Sequence, residues 1–357
     1  MVRGLLCVAL LLATVTARAE TWPDKDWVKG TSLEGPAVEA LNTYAFPPRD
    51  DTTRQGIRTD ALLVIRDGQI IYERYAAPTT ATTPHLTWSI SKSLMATVLG
   101  VAFGDNRFKL TDPAARFYPP MKQHPTVTMA DLLHWASGLD WQEDYEYAPL
   151  KSSVVAMLYT RGHADMAEFA ADTEAFAAPG QVFRYSSGDS NILSATLKGM
   201  LGHKAYMSYP WDALFKPLGI HNATWETDAD ETFVASSYAY LTARDLARVG
   251  LLMARDGRWG EQQLVPKAWV DFNRQPFGRY QAGQDEAVPG GQWWLNQGAP
   301  RPWPDAPTDT FAALGHWGQA LFVMPEEHLV IVRYGDDRDG SYRHNELLKR
   351  VLAAVKP

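Results

Sequence analysis

The hydrophobic pattern changes period several times along the chain. Residues 61–65, Ala-Leu-Leu-Val-Ile, form an unbroken apolar run, and Gln69-Ile-Ile-Tyr-Glu-Arg-Tyr75 forms a second β-rich run. Asp67-Gly68 lies between them. Asp-Gly supplies the positive φ angles of a type I′ turn, so this stretch predicts a β-hairpin. From Ser89 to Gly104 the period lengthens, and Ile90, Leu94, Val98 and Val101 mark one face of a helix. Helical spacing also predicts helices at Pro36–Phe46, Met129–Ala136, Ser153–Leu158, Met166–Ala171, Asn191–Leu201, Tyr209–Leu218, Ala243–Arg255 and Pro266–Arg274. Strand patterns return at Gln292–Asn296, Gln319–Met324 and Leu329–Tyr334, with Pro325–His328 as a hairpin connection. A closing helix is expected over Tyr342–Val355.

The order is therefore strands, one long helix, many helices, then strands and a helix. This predicts an α/β (α+β) fold in which early and late strands share an antiparallel β-sheet flanked by helices, with an all-helical domain inserted. The expected boundaries are 20–105 and 286–357 for the sheet domain and 106–285 for the helical domain. A length of 357 residues suits two such units.

The first 19 residues stand apart. Arg3 precedes an uncharged apolar run from Gly4 to Val15, and Ala17-Arg18-Ala19 is a small-x-small triplet. Together they predict a signal peptide cleaved before Glu20, hence a periplasmic or secreted protein. Cleavage would remove Arg3, Arg18 and Cys7, the chain's one cysteine, and move the formal net charge from −7 to −9. A mature chain without cysteine excludes disulfides, Cys-ligated zinc and thiol catalysis. An acidic surface disfavours nucleic acid, whose phosphates need clustered Lys and Arg. No later apolar run is long enough for a transmembrane anchor.

Ser89-Ile90-Ser91-Lys92 opens the long helix. Residues three apart share a helix face, so a neutral Lys92 amine could take the Ser89 proton. The helix N-terminus would favour a developing oxyanion. Tyr185, in Arg184-Tyr185-Ser186-Ser187, could act as base or as the acid for a leaving group. Gly315-His316-Trp317-Gly318-Gln319 enters a late strand, where glycine allows close backbone approach and the next N–H could bind an oxyanion. Alone, the first segment is better explained as a serine cap with a solvated lysine and the second as a packed aromatic, and the third is open to reading as a glycine-rich strand entry with a packed Trp.

In this order, the three segments resemble the serine β-lactamase and penicillin-binding-protein superfamily, closest to its class C-like branch, which also holds esterases and 6-aminohexanoate-oligomer hydrolases. Leu110-Thr-Asp-Pro113, Thr128–Leu133, Ser137-Gly-Leu139 and Thr242–Arg248 resemble the same branch. The resemblance implies a β-lactamase/transpeptidase-like fold. It implies Ser89 as nucleophile and Lys92 as the group sharing its proton. Tyr185 would act with Lys92 as base and then protonate the leaving group. The backbone N–H groups of Ser89 and Gln319 would form the oxyanion hole. Ser187, His316, Trp317 and Gly318 would bind substrate.

Two positions depart from that pattern. Ser187 stands where a class C β-lactamase has Asn, and one hydroxyl cannot make both amide hydrogen bonds. His316 stands where Lys would meet a substrate carboxylate, and a neutral imidazole binds an anion less strongly. Both favour an ester or amide substrate of less anionic character over a β-lactam. The expected function is a serine hydrolase working through an acyl-enzyme, with no metal and no other cofactor. The partner is a small-molecule ester or amide, with peptidoglycan fragments as one source. The alternatives are a β-lactamase or D-Ala-D-Ala-type peptidase, and a non-catalytic module binding cell-wall peptides. The 9 His residues show no metal-binding spacing, and the 13 Trp are expected mainly in core and cleft packing. Ser137, Gly138 and Asp189 receive no role, and the sequence leaves oligomeric state open.

Overall fold

A computed structural model of the chain describes residues 21–280 and 287–356. The expected leader with its cleavage before Glu20, and the boundary at 285/286, lie outside the described residues. The early hairpin forms as expected from β1 (Thr59–Arg66) and β2 (Gln69–Tyr75), with Asp67 at φ 52° and Gly68 at φ 79° in its turn. Late strands are β3 (Val288–Pro289), β4 (Trp294–Leu295), β5 (Phe311–Gly315), β6 (Gln319–Met324) and β7 (Leu329–Gly335). Among the described residues, these seven make one antiparallel sheet in the order β2-β1-β7-β6-β5-β4-β3. Leu63 of β1 and Leu321 of β6 both pair with Val332 of β7, so the first hairpin is locked to the last strands.

Strand alternation sends side chains to two cores. Leu63, Ile65, Leu321, Val323, Val330 and Val332 enter the larger core, while Leu62, Val64, Phe322, Leu329 and Ile331 enter the smaller one. Helices α1 (Pro36–Ala45) and α5 (His344–Val355) supply Leu41, Leu347, Leu348 and Val351 to the smaller core. The other face is covered by α2 (Ile90–Gly104) and α4 (Ala243–Ala254), with α3 (Ser187–Leu201) packed behind α2. A sheet buried on both faces explains why its strands read as continuous apolar runs. Among the described residues, no helix is long and apolar enough to cross a membrane.

Several boundaries differ from expectation. The helix expected over Met129–Ala136 ends at Leu133, because Trp135 takes a left-handed φ of 52°. The helix expected to start at Asn191 begins at Ser187, capped by the Ser186 hydroxyl, which accepts from the Asp189 N–H. Tyr209–Leu218 contains a wide π turn at Trp211–Phe215 instead of a regular helix. Strand β5 was not expected. Of the run Gln292–Asn296, Trp294–Leu295 alone is strand.

Candidate active site

The site lies where the joined ends of β5 and β6 meet the starts of α2 and α3. Thr87 leads the chain into α2. Its N–H and its hydroxyl both donate to the Ala239 carbonyl, each at 2.9 Å, and its hydroxyl lies 3.0 Å from that of Ser91. Trp88 then adopts a φ of 49°, an uncommon conformation for a bulky residue and a place where strain is stored. Its ring is held by Trp317 at 5.4 Å, His316 at 5.5 Å and Tyr238 at 6.5 Å. Ser89 follows at the N-cap, half-buried.

Lys92, one turn on, is 1% exposed. Its Nζ donates to Ser89 Oγ at 2.9 Å and to the Ser236 carbonyl at 2.9 Å. Ser236 is itself held by Asn191 of α3, whose Oδ1 accepts from its N–H at 3.1 Å. Burial pushes the Lys92 ammonium down to about 8, partly opposed by the negative charge of Glu143. The Lys92 Nζ also sits 4.9 Å from the centre of the Tyr185 ring.

Tyr185 is fixed by Trp135 at 4.9 Å and Trp294 at 5.4 Å. Burial, aided by Glu143, raises its phenol well above the ordinary value, against an opposing hydrogen bond with the Ser89 side chain. The phenol is therefore protonated at neutral pH. A tyrosine base would need the opposite shift, so of the two roles expected for Tyr185 the environment suits proton donation.

At the joined strand ends, Gly315 pairs with Gln319 across β5 and β6. A Cβ on Gly315 would lie 2.4 Å from the Thr87 carbonyl oxygen, so glycine is what lets the strand end abut the entry to Ser89. Gln319 is buried, and its side chain bonds the His316 and Gly335 carbonyls at 2.9 and 2.6 Å. Trp317 (φ 57°) and Gly318 (φ 85°) form a left-handed corner, buttressed by Arg333, which donates to the Gly318 carbonyl at 2.8 Å. His316 stacks on Tyr145 at 5.1 Å and bonds Glu146 at 3.0 Å. Burial lowers its pKa, with Glu146 opposing, so the imidazole favours the neutral form at pH 7.

Ser187 is placed differently from expectation. It is fully buried, and its N–H (3.0 Å) and hydroxyl both donate to Glu143. It is thus a ligand of Glu143, not a wall of the cleft. Glu143, Tyr145 and Glu146, on the loop after Trp141, were missed. A loop rich in acids and aromatics has no periodicity, and nothing local in the sequence points it at Ser187 or His316.

A sequence profile of the β-lactamase family matches residues 37–354. The chain belongs to the β-lactamase family. Family membership and hydrolase relatives make it a serine hydrolase. It is 28% identical over 305 residues to 6-aminohexanoate-dimer hydrolase of Paenarthrobacter ureafaciens, covering 80% of this chain and 74% of that one. Two solved structures share the fold. A Bacillus anthracis protein provisionally named a 6-aminohexanoate-dimer hydrolase has a TM-score of 0.70 at 21% identity, over 93% of this chain and 88% of the other. EstCE1, a hydrolase with promiscuous acyltransferase activity, has a TM-score of 0.70 at 16% identity, over 89% and 97%. This β-lactamase-family chain therefore has the fold expected from its motifs.

Proposed function

We propose that the protein hydrolyses an ester or amide through an acyl-enzyme on Ser89. The contact that carries this reading is Lys92 Nζ at 2.9 Å from Ser89 Oγ, on a lysine whose burial leaves about one-tenth of it neutral at pH 7. Ser89 Oγ attacks the carbonyl carbon as its proton passes to Lys92. The oxyanion meets the N–H groups of Ser89 and Gln319. As the tetrahedral intermediate collapses, the Tyr185 phenol gives its proton to the leaving oxygen or nitrogen and is reprotonated from Lys92. Water then attacks the acyl carbonyl, loses its proton to the same pair, and frees Ser89.

A neutral His316 engaged by Glu146, and Ser187 with its hydroxyl committed to Glu143 where the family pattern has an amide side chain, support substrates less anionic than a β-lactam. The 6-aminohexanoate-dimer hydrolase relative suggests a small amide as one candidate substrate. The leader pattern supports export, and a secreted or periplasmic preparation should begin at Glu20 on N-terminal sequencing. The decisive experiment pairs fluorophosphonate labelling with turnover of short p-nitrophenyl esters, a 6-aminohexanoate dimer and nitrocefin. S89A should lose labelling and all turnover. Full labelling of S89A would overturn the reading, and nitrocefin turnover matching the best ester would redirect it to β-lactam hydrolysis.

A further inference from the structure

Glu143 is held from three sides. The Ser187 N–H donates to Oε2 at 3.0 Å, the Ser187 hydroxyl donates to Oε1, and the Trp141 indole donates to Oε2. Trp141 is itself wedged against the first turn of α3. A Cβ on Gly188 would meet its ring at 2.8 Å. The carboxylate is thereby tied to the second residue after Tyr185. All three donors are neutral, and Glu143 forms no ion pair among the described residues. Its negative charge is felt at the buried Lys92 and at Tyr185, two residues before its Ser187 anchor.

We infer that Glu143 is a positioning residue for the proposed reaction: it anchors the Tyr185–Ser187 segment and, through its charge, tunes the pH at which Lys92 can activate Ser89. This rests on the acyl-enzyme reading. An anion beside a buried ammonium favours the protonated form, which cannot act as base. Glu143 thus holds the nucleophile back at low pH while keeping the Lys92 proton available for Tyr185 after attack. The same direction appears at Tyr185, where an adjacent anion favours the protonated phenol.

Other titratable groups surround the pair. Tyr145 is on the same loop as Glu143. Asp189 lies one turn along α3, bonded to the Ser137 and Ser186 hydroxyls at 2.7 and 3.2 Å and pushed up by burial to about 7. Asp131 acts on Asp189 in turn, and Glu146, on the same loop as Glu143, bonds His316, which stacks on Tyr145.

The test is the pH profile of kcat/KM for p-nitrophenyl butyrate in wild type, E143Q and E143D. Removing the charge should move the acid limb of E143Q down by about one unit. Its activity at about pH 6, relative to its own plateau, then rises up to about tenfold. E143D keeps the charge and should keep the wild-type limb. Coincident limbs for E143Q and wild type, or an equal shift in E143D, would overturn the inference. If E143Q is recovered unfolded, the double variant S187A/E143Q removes both partners of the clamp and is read by the same criterion. Labelling of Ser89 by fluorophosphonate separates the two ideas. No labelling of the wild type defeats the acyl-enzyme reading, whereas labelling with coincident limbs defeats only the role of Glu143.

Discussion

At the scale of single residues, the site is built from groups held against their ordinary preferences. Lys92 is buried, with a pKa of about 8 against 10.5 in water. The folded value lies below the unfolded one, so below about pH 8 both states are protonated and folding bears the full cost of burying the charge. That cost shrinks between about 8 and about 10.5 and is absent above, so this term makes stability rise with pH. The shift corresponds to ~3 kcal/mol, offset by the two hydrogen bonds from Nζ, each worth about 1 kcal/mol. K92M, similar in shape and uncharged, should therefore lose turnover and gain about 1 kcal/mol near pH 6 in urea unfolding, with the gain turning into a loss above about pH 9, where the burial cost falls below the two lost hydrogen bonds. A destabilised K92M at pH 6 would show that the two hydrogen bonds outweigh desolvation. The contact of Ser89 with Lys92 was legible in the sequence because residues three apart share a helix face, and the order of the motifs singled out Tyr185, whose ring the structure places against Lys92. Glu143 was not, because its partner Ser187 is 44 residues away and only the fold brings them together.

At the scale of elements, legibility followed the physics of each pattern. The β1–β2 hairpin and α2 were read from the sequence because a turn dipeptide and a 3.6-residue period are local signals. Strand β5 was not, because Phe-Ala-Ala-Leu-Gly has little β preference and no alternation when its first three residues are all buried. The start of α3 was read four residues late, since Ser-Ser-Gly-Asp resembles a loop until Ser186 is recognised as its cap. Strand β5 matters because its last residue, Gly315, pairs with Gln319 and abuts the carbonyl of Thr87, two residues before Ser89. G315A would place a methyl 2.4 Å from the Thr87 carbonyl oxygen. The strand end must then move outward by some tenths of an ångström. We expect kcat/KM to fall at least about tenfold, with about 1–3 kcal/mol lost in stability. G278A is the control, because a Cβ there meets nothing within 4 Å. Equal activity in the two variants would mean that the Gly315–Thr87 approach does not govern the site.

At the scale of the whole molecule, both ends of the chain converge on the site through one buried arginine. Arg333 of β7 is inaccessible to solvent. It donates to Thr59 Oγ1 of β1 at 3.1 and 2.9 Å, to the Gly318 carbonyl at 2.8 Å and to Asp337, and its guanidinium lies 3.7 Å from the centre of the Tyr342 ring. The first strand, the last strand, the segment leading into α5 and the corner after His316 thus share one cation. Sequence patterns revealed that early and late strands belong to one sheet, but a single arginine among 34 basic residues carries no mark of that position. Removing it alone leaves Asp337 buried without its partner, which typically costs about 3–5 kcal/mol. R333M should lower the urea midpoint accordingly and slow Ser89 labelling, because the Trp317–Gly318 corner loses its support. R333M/D337N removes both charges and should recover a large part of the stability, since replacing a complete buried pair is often near neutral. Labelling should not recover with it, because Gly318 still lacks its donor. If stability and labelling returned together in the double variant, the corner would depend on charge balance alone, and the hydrogen bond from Arg333 would have no separate part in shaping the site.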